Sequence, residues 1–185
     1  MGSGQMLLAV LAMSLLSLII LSANFNLLEN ERVVMDSEFS IAAISLSTSL
    51  IEEAQGKVFD EACVDSGLNA TTQLTATSYL GKDALEYYHT SDSTKSDYDD
   101  LDDFNGFFIE YVNDTTKAMI ATYRGDAVGF RADYFVRAKV EYVSVSGSAV
   151  TPTTNQTWHK RMTVTVASPS SRDTLVFPTI TSYWN

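Results

Sequence analysis

The sequence predicts an α+β fold in which one long N-terminal helix packs on a C-terminal antiparallel β-sheet. Residues 5–55 contain neither proline nor glycine and are followed by Gly56, which is typical of one uninterrupted helix with a glycine stop. After Gly106, apolar and polar residues alternate with a two-residue period, which is typical of strands separated by turns. The second half of the helix is amphipathic and can cover one face of that sheet.

The first half of the predicted helix is long enough to span a bilayer. Residues 1–28 carry no charge, and residues 6–23 are apolar apart from three serines. A hydrocarbon core about 30 Å thick takes roughly 20 helical residues. A cleaved secretory signal would need a basic N-terminal region, whereas the first basic residue is Arg32. We therefore expect an anchor that is uncleaved or trimmed by only a few residues.

A helix that is apolar on every side is stable in lipid and also in a bundle of identical helices. Ser14 and Ser17 are small enough to let neighbouring helices approach closely. A plain membrane anchor stays the alternative for this half of the helix. If a bundle forms, its core is predicted to contain Leu8, Leu11, Leu15, Leu18 and Ile19.

The second half of the helix mixes charged residues with an apolar stripe. Its apolar residues recur at three- and four-residue steps, which predicts docking of one face onto the sheet. The predicted organisation is a leader at 1–4, an apolar helix at 5–28, an amphipathic helix at 29–55 and a β-rich head at 56–185. The stripe comprises Phe39, Ala42, Ala43, Leu46, Leu50 and Ile51.

An acidic run precedes the strands and closes on Gly106. Hard cations such as Ca²⁺ take six to eight oxygen ligands, which a loop of carboxylates can supply. The spacing does not match the EF-hand loop, and the alternative is a solvated acidic turn whose side chains cap backbone N–H groups. The candidate calcium ligands are Asp97, Asp99, Asp100, Asp102, Asp103 and Asn105.

The head is predicted to be an antiparallel sheet with polar connections. Residues 57–94 show weak periodicity and are predicted to be mostly connecting structure. Turn signals at Gly147, 152–155 and 169–172 separate the later strands. The predicted strands are 107–112, 119–123, 134–145, 158–167 and 174–184.

Composition excludes several classes of function. A net charge of −11 and a pI of about 4.4 argue against nucleic-acid binding, which needs clustered Lys and Arg. His89 and His159 have no nucleophile motif around them, so we expect no catalysis. Cys63 is the single cysteine, so an intrachain disulfide is impossible. Asn69, Asn113 and Asn155 begin glycosylation sequons on the expected exposed head.

Two motifs resemble those of type IV pilins. The glycine-ending leader, the apolar half-helix and the amphipathic half-helix together resemble the N-terminal signature of that family. The string Asp-Asp-Leu-Asp-Asp-Phe-Asn-Gly at 99–106 is similar to the Asp-Asp-Val-Asp-Asp-Tyr motif of minor pilins of the mannose-sensitive haemagglutinin type. The chain departs from the family pattern at Ala9, where the usual glutamate would stand after cleavage at Gly4.

The resemblance implies a lollipop-shaped pilin fold, leader cleavage between Gly4 and Gln5, and methylation of the new N-terminus. It implies partners as well: the inner membrane before assembly, the pilus assembly machinery, and copies of the same chain in a helical filament. The predicted function is a structural subunit of an extracellular type IV pilus-like filament on the cell surface, without a cofactor unless the acidic loop holds Ca²⁺. The alternatives are a monomeric membrane-anchored binding module with that acidic loop, and a pseudopilin of a secretion system.

Overall fold

The computed structural model of the protein describes residues 2–64, 67–84, 86, 97–111, 133–169, 171 and 173–184. The chain forms two compact units, residues 1–41 and residues 42–185. Its secondary structure is one long helix followed by short 3-10 helices and an antiparallel sheet. The predicted α+β fold is therefore confirmed.

Helix α1 runs without a break over Ser3–Gln55, 53 residues, and begins two residues before the predicted start. At about 1.5 Å per residue it is roughly 80 Å long. It ends at the predicted glycine, where the Gly56 N–H donates to the carbonyls of Glu52 and Glu53 at 3.1 and 3.2 Å. The first unit consists of the helix up to residue 41, and in it residues 2–38 are all exposed.

The last part of α1 belongs to the second unit and has a buried stripe. Its members follow three- and four-residue steps, as predicted for a face that covers a sheet. The Ser47 hydroxyl, also buried, donates to the Ala43 carbonyl at 2.6 Å. Gln55 Nε2 donates to the Thr179 hydroxyl on the last strand at 3.1 Å, which ties the helix end to the sheet. The buried apolar residues of this stripe are Ala43, Leu46, Leu50 and Ala54.

The sheet consists of β1 (Phe108–Tyr111), β2 (Tyr134–Ser146), β3 (Ala149–Pro152), β4 (His159–Ala167) and β5 (Thr174–Ser182). The strand order is β1-β2-β4-β5, and β3 pairs with the end of β2; every pairing is antiparallel. Alternate residues of β2 and β4 form the core, as the two-residue period predicts. The core residues of these two strands include Val136, Ala138, Val140, Met162, Val164 and Val166.

Strand β3 was not predicted, because the sequence around it reads as turn and loop. Ser146 pairs with Ala149 across the two-residue turn at Gly147 and Ser148. Gly147 has φ +62°, a conformation that favours glycine at the first position of such hairpins. Ala149, Thr151 and Pro152 are exposed, so the strand lacks the alternation of buried and exposed residues from which a strand is predicted. The predicted strand 119–123 lies outside the described residues.

The described part of the segment between α1 and β1 is mostly connecting structure, as predicted for residues 57–94. It contains the short 3-10 helices Glu61–Cys63, Thr71–Gln73, Thr77–Tyr79 and Asp102–Phe104. Phe59, Leu68 and Leu74 from this segment pack with Tyr142 of β2 in a second apolar cluster. This cluster brings the chain that follows the helix against the sheet.

Replacing Met162 by Ala should destabilise the head by about 2–5 kcal/mol, because it removes a fully buried side chain from the centre of β4. The matched control is Thr163→Ala, one residue along the same strand on the opposite face, which should change stability by less than about 1 kcal/mol. Denaturant unfolding of the full chain in detergent measures both. Equal losses for the two variants would contradict the assignment of the buried face.

Candidate functional site

The first candidate site is the exposed apolar segment, residues 6–28 of α1. Its large apolar side chains are between 49% and 70% exposed. By length and composition, helix α1 can cross a membrane. The five residues predicted to form a bundle core, Leu8, Leu11, Leu15, Leu18 and Ile19, all belong to this exposed set.

Two polar side chains of this segment are satisfied within the helix itself. The Ser14 and Ser17 hydroxyls donate to the carbonyls of Leu11 and Met13, at 2.8 and 2.9 Å, within the helix. Such internal bonds satisfy the hydroxyl without water. The helix also starts early enough to include the predicted cleavage site, because Gly4 and Gln5 lie in its first turn. Both residues are exposed, and cleavage between them stays a prediction.

Exposed apolar side chains continue beyond the length of one membrane span. Val33, Val34 and Met35 are 60%, 56% and 61% exposed. Charged residues flank them, and Arg32 Nε lies 4.0 Å from Asp36 Oδ2 one turn along the helix. This part of the helix therefore presents apolar side chains together with a surface ion pair.

The second candidate site is a buried charge cluster around Lys160, which lies on the core face of β4. Its Nζ donates to Asp60 Oδ2 and to Asp102 Oδ1, both at 2.7 Å, and to the Phe59 carbonyl at 2.9 Å. The side chains of Lys160, Asp60 and Asp102 are 0%, 0% and 3% exposed. Three sequence-distant segments thus meet at one ammonium group.

Asp60 is held as a carboxylate by a full set of donors. The Thr75 N–H and hydroxyl donate to its Oδ1 at 3.0 and 2.9 Å, and the Tyr142 hydroxyl donates to its Oδ2 at 2.8 Å. Burial raises the pKa of Asp60, but the Lys160 ammonium and these hydrogen bonds outweigh it and hold the pKa below its ordinary value. Burial, and then the same carboxylate, raise the pKa of the Tyr142 hydroxyl, which stays a donor.

Three of the five aspartates in the acidic run are buried instead of facing solvent. Asp100, Asp102 and Asp103 are buried, and Asp100 Oδ1 accepts the Asp103 N–H at 3.0 Å. Asp103 Oδ2 in turn accepts the N–H groups of Asp99 and Asp100 at 3.0 and 3.2 Å. These carboxyls cap the loop backbone, as the alternative interpretation of the run expected, but they do so in the interior.

Burial and neighbouring carboxyls raise the pKa of several of these acids. Burial and then the adjacent Asp102 raise the pKa of Asp100 to about 9. Burial and a hydrogen bond with Glu86 raise the pKa of Asp103 to about 7. Burial also raises the pKa of Asp102, although Lys160 and a side-chain hydrogen bond from Asp100 act against it. The raised pKa of Asp100 favours its protonated form at neutral pH.

The six predicted calcium ligands do not converge on one point. Asp102 binds Lys160, while Asn105 donates from Nδ2 to the Leu80 carbonyl at 2.9 Å and accepts the Val140 N–H at 3.0 Å. Asp97 and Asp99 are exposed. Carboxylate oxygens of Asp99 and Asp103 do lie within 4.8 Å of each other and of Glu86, a residue that the sequence had not included. Calcium binding by this loop stays a prediction.

The other predicted positions lie on the surface or outside the described residues. Asn69 and Asn155 are exposed, and Asn113 lies outside the described residues, as does His89. Glycosylation stays a prediction at all three asparagines. His159 is half-buried, and its Nδ1 shares a hydrogen bond of 2.7 Å with the Ser182 hydroxyl across β4 and β5.

Sequence reasoning missed Asp60 and Lys160. Lys160 lies two residues before Met162 and is therefore on the same buried face of β4 as Met162, Val164 and Val166. This two-residue spacing is the signal that could have identified it. A lysine in such a position needs a buried acid. The acidic run at 97–106 offers Asp102 as a partner for the lysine, but no pattern in the sequence identifies Asp60 as the second partner.

The chain matches no protein-family model, no curated protein and no solved structure. The long apolar N-terminal helix and the antiparallel sheet are compatible with a pilin-like fold.

Lys160→Met should destabilise the head by about 3–5 kcal/mol at neutral pH, because it leaves the buried carboxyls of Asp60 and Asp102 without the nitrogen that both contact. The control is Lys139→Met on the same sheet, because the Lys139 side chain is 68% exposed and its ion pair should contribute less than about 1 kcal/mol. Denaturant unfolding of both variants in detergent compares them. Equal stability of the Lys160 variant and the parent protein would contradict the role given to this lysine.

Asp103→Asn should stabilise the head above neutral pH. Since the folded protein binds the Asp103 proton more tightly than the unfolded chain, this carboxyl makes stability fall as pH rises from its ordinary pKa of 3.8 to about 7, and adds no further change above that. An asparagine keeps the acceptor for the backbone N–H groups and removes the titration.

The measurement for this variant is the free energy of unfolding between pH 4 and 8, with Asp97→Asn at an exposed position of the same loop as control. The difference between Asp103→Asn and the parent protein should grow with pH up to about 7 and then level off. A difference that is constant with pH would contradict the raised pKa.

Proposed function

We propose that the protein is a structural subunit of an extracellular type IV pilus-like filament and assembles through the apolar half of α1. The observation that carries the proposal is a 53-residue helix on which residues 2–38 are all exposed while residues 6–28 are uncharged. Such a surface is unstable in water and needs lipid or other apolar helices around it. We propose no enzymatic activity.

The physical basis of assembly is transfer of one helix between two apolar environments. Burying a large aliphatic side chain away from water contributes about 1.5–3 kcal/mol, and both the bilayer and a bundle of identical helices provide that burial. The helix can therefore leave the membrane for the filament core with little change in apolar exposure. Small side chains such as Ala9, Ala12 and Ser17 then permit close contact between neighbouring backbones.

The apolar residues at 33–35 favour a filament over a monomeric anchor. One span uses roughly 20 residues, so a helix inserted from residue 6 leaves the hydrocarbon core near residue 25. Val33, Val34 and Met35 then lie beyond it and are still more than half exposed. A monomeric anchor has no use for apolar side chains there, whereas neighbouring subunits of a filament can cover them.

In this proposal the acidic head faces outward and the chain is held in the inner membrane before assembly. The net charge of −11 suits a soluble outer surface. Cleavage between Gly4 and Gln5 would leave the exposed apolar segment at the new N-terminus, ready for insertion among its copies. N-terminal sequencing of the protein from isolated filaments tests this processing step directly.

The main experiment is electron microscopy of material sheared from the cell surface, with labelled antibody against the head. The proposal expects labelled filaments that contain this chain along their length. A chain found as monomers in membrane vesicles would establish the membrane-anchored binding module in its place. A chain confined to short periplasmic assemblies would establish the pseudopilin alternative.

Val34→Glu should reduce filament yield about tenfold or more while leaving the chain in the membrane. The substitution places a charge in the subunit contact that we propose at 33–35, and each 1.4 kcal/mol lost there lowers the assembly constant about tenfold. Thr151→Glu, at an exposed position of the head, is the control and should assemble normally. The readout is the ratio of sheared to membrane-bound protein. An unchanged ratio for Val34→Glu would exclude residue 34 from the subunit contact.

A further inference from the structure

The surroundings of Lys160 are those of an amide-forming centre. A primary amine and two carboxyl groups lie together, with Nζ 2.7 Å from an oxygen of each, and none of the three side chains is more than 3% exposed. The rings of Phe59 and Tyr142 flank Nζ, with centroids at 4.7 and 5.2 Å. The Lys160 nitrogen, the potential nucleophile, is therefore buried away from solvent and contacts the carboxyls of Asp60 and Asp102, the two potential electrophiles.

We propose that Lys160 and Asp102 condense into an intramolecular isopeptide bond, with Asp60 acting as the base and Asp100 as the acid. The bond would join the loop before β1 to strand β4. It is independent of the filament proposal, since every participating residue lies in the second unit of the chain.

The hydrogen bonds assign the roles of the two carboxyls that touch Nζ. Asp60 accepts from Thr75, Tyr142 and the Ala62 N–H as well as from Lys160, so its oxygens are held by donors that favour the carboxylate. A carboxylate held in this way is a poor electrophile, and its direct contact with Nζ places it to accept the ammonium proton. Asp102 shares a side-chain hydrogen bond with the carboxyl of Asp100, which polarises its carbonyl and can protonate the departing oxygen.

The reaction balances without any co-reactant. Asp60 takes a proton from the Lys160 ammonium, and the resulting amine attacks Cγ of Asp102 while Asp100 protonates a carboxyl oxygen. The Nζ–Cγ bond forms, the Cγ–O bond breaks, and the oxygen leaves as water. Of the three protons on Nζ, one stays on the amide and two leave in that water, so Asp60 and Asp100 return to their starting protonation states.

Burial supplies the driving force. Charges removed from water are costly even when paired, and condensation replaces an ammonium and a carboxylate by one neutral amide. The reactants are held in contact by the fold, so no bimolecular encounter is needed.

High-resolution mass spectrometry of the full chain tests the proposal. The purified protein should be lighter than its sequence by the mass of one water molecule. Trypsin should release a branched product in which peptide 96–117 is joined to peptide 140–161, because acylated Lys160 is no longer cleaved. A full mass together with normal cleavage after Lys160 would overturn the proposal, and this readout on the parent protein does not depend on the folding of any variant.

Variants test the assigned roles. Lys160→Arg should restore the full mass, whereas Lys139→Arg, an exposed control on the same sheet, should keep the loss of water. Asp102→Asn should lose ammonia in place of water, since the amide nitrogen becomes the leaving group. Asp60→Asn should show the full mass, because the base is gone. Ammonia loss from Asp60→Asn, localised to a peptide that contains residue 60, would overturn the assignment of Asp102 as the partner.

Discussion

The ammonium group of Lys160 is the constraint on which the packing of the head depends. A cation on the core face of a central strand must find acids, and here it takes one from the segment after the helix and one from the loop before the sheet. Those two segments have little apolar periodicity of their own. Charge pairing fixes their positions together with the apolar cluster around Tyr142, because moving either one away would leave Lys160 without a full set of partners in the interior.

The sequence was sufficient to predict the elements whose environment repeats along the chain. The long helix, the stripe at Ala43, Leu46 and Leu50, and the alternation in β4 all follow from periodic burial. Strand β3 could not be found this way, because it pairs with β2 at a place where neither of its faces is buried. The acidic run was located correctly, but its burial could not be inferred, since five aspartates in one loop are typical of a solvent-facing surface until a buried cation is found to face them.

Both units depart from the usual distribution, in which apolar side chains are buried and charged side chains are exposed. In the first unit, large apolar side chains are exposed over most of the helix, and in our proposal lipid or neighbouring copies cover them. Among the described residues of the second unit, a lysine and four aspartates, including Asp60 and Asp102, are buried. The second departure from the usual distribution is resolved within the chain, because these charges pair with one another.

The segment that follows α1 contacts both the acidic loop and the charge cluster around Lys160. Directly after Gly56, Val58 forms a parallel bridge with Asp100, donating to the Asp99 carbonyl at 3.0 Å and accepting the Leu101 N–H at 2.9 Å. Two residues later Asp60 reaches Lys160. The chain that leaves α1 therefore meets the acidic loop first and then, through Asp60, strand β4. The covalent link that we propose between the acidic loop and β4 would join the two elements that this segment contacts directly after the helix.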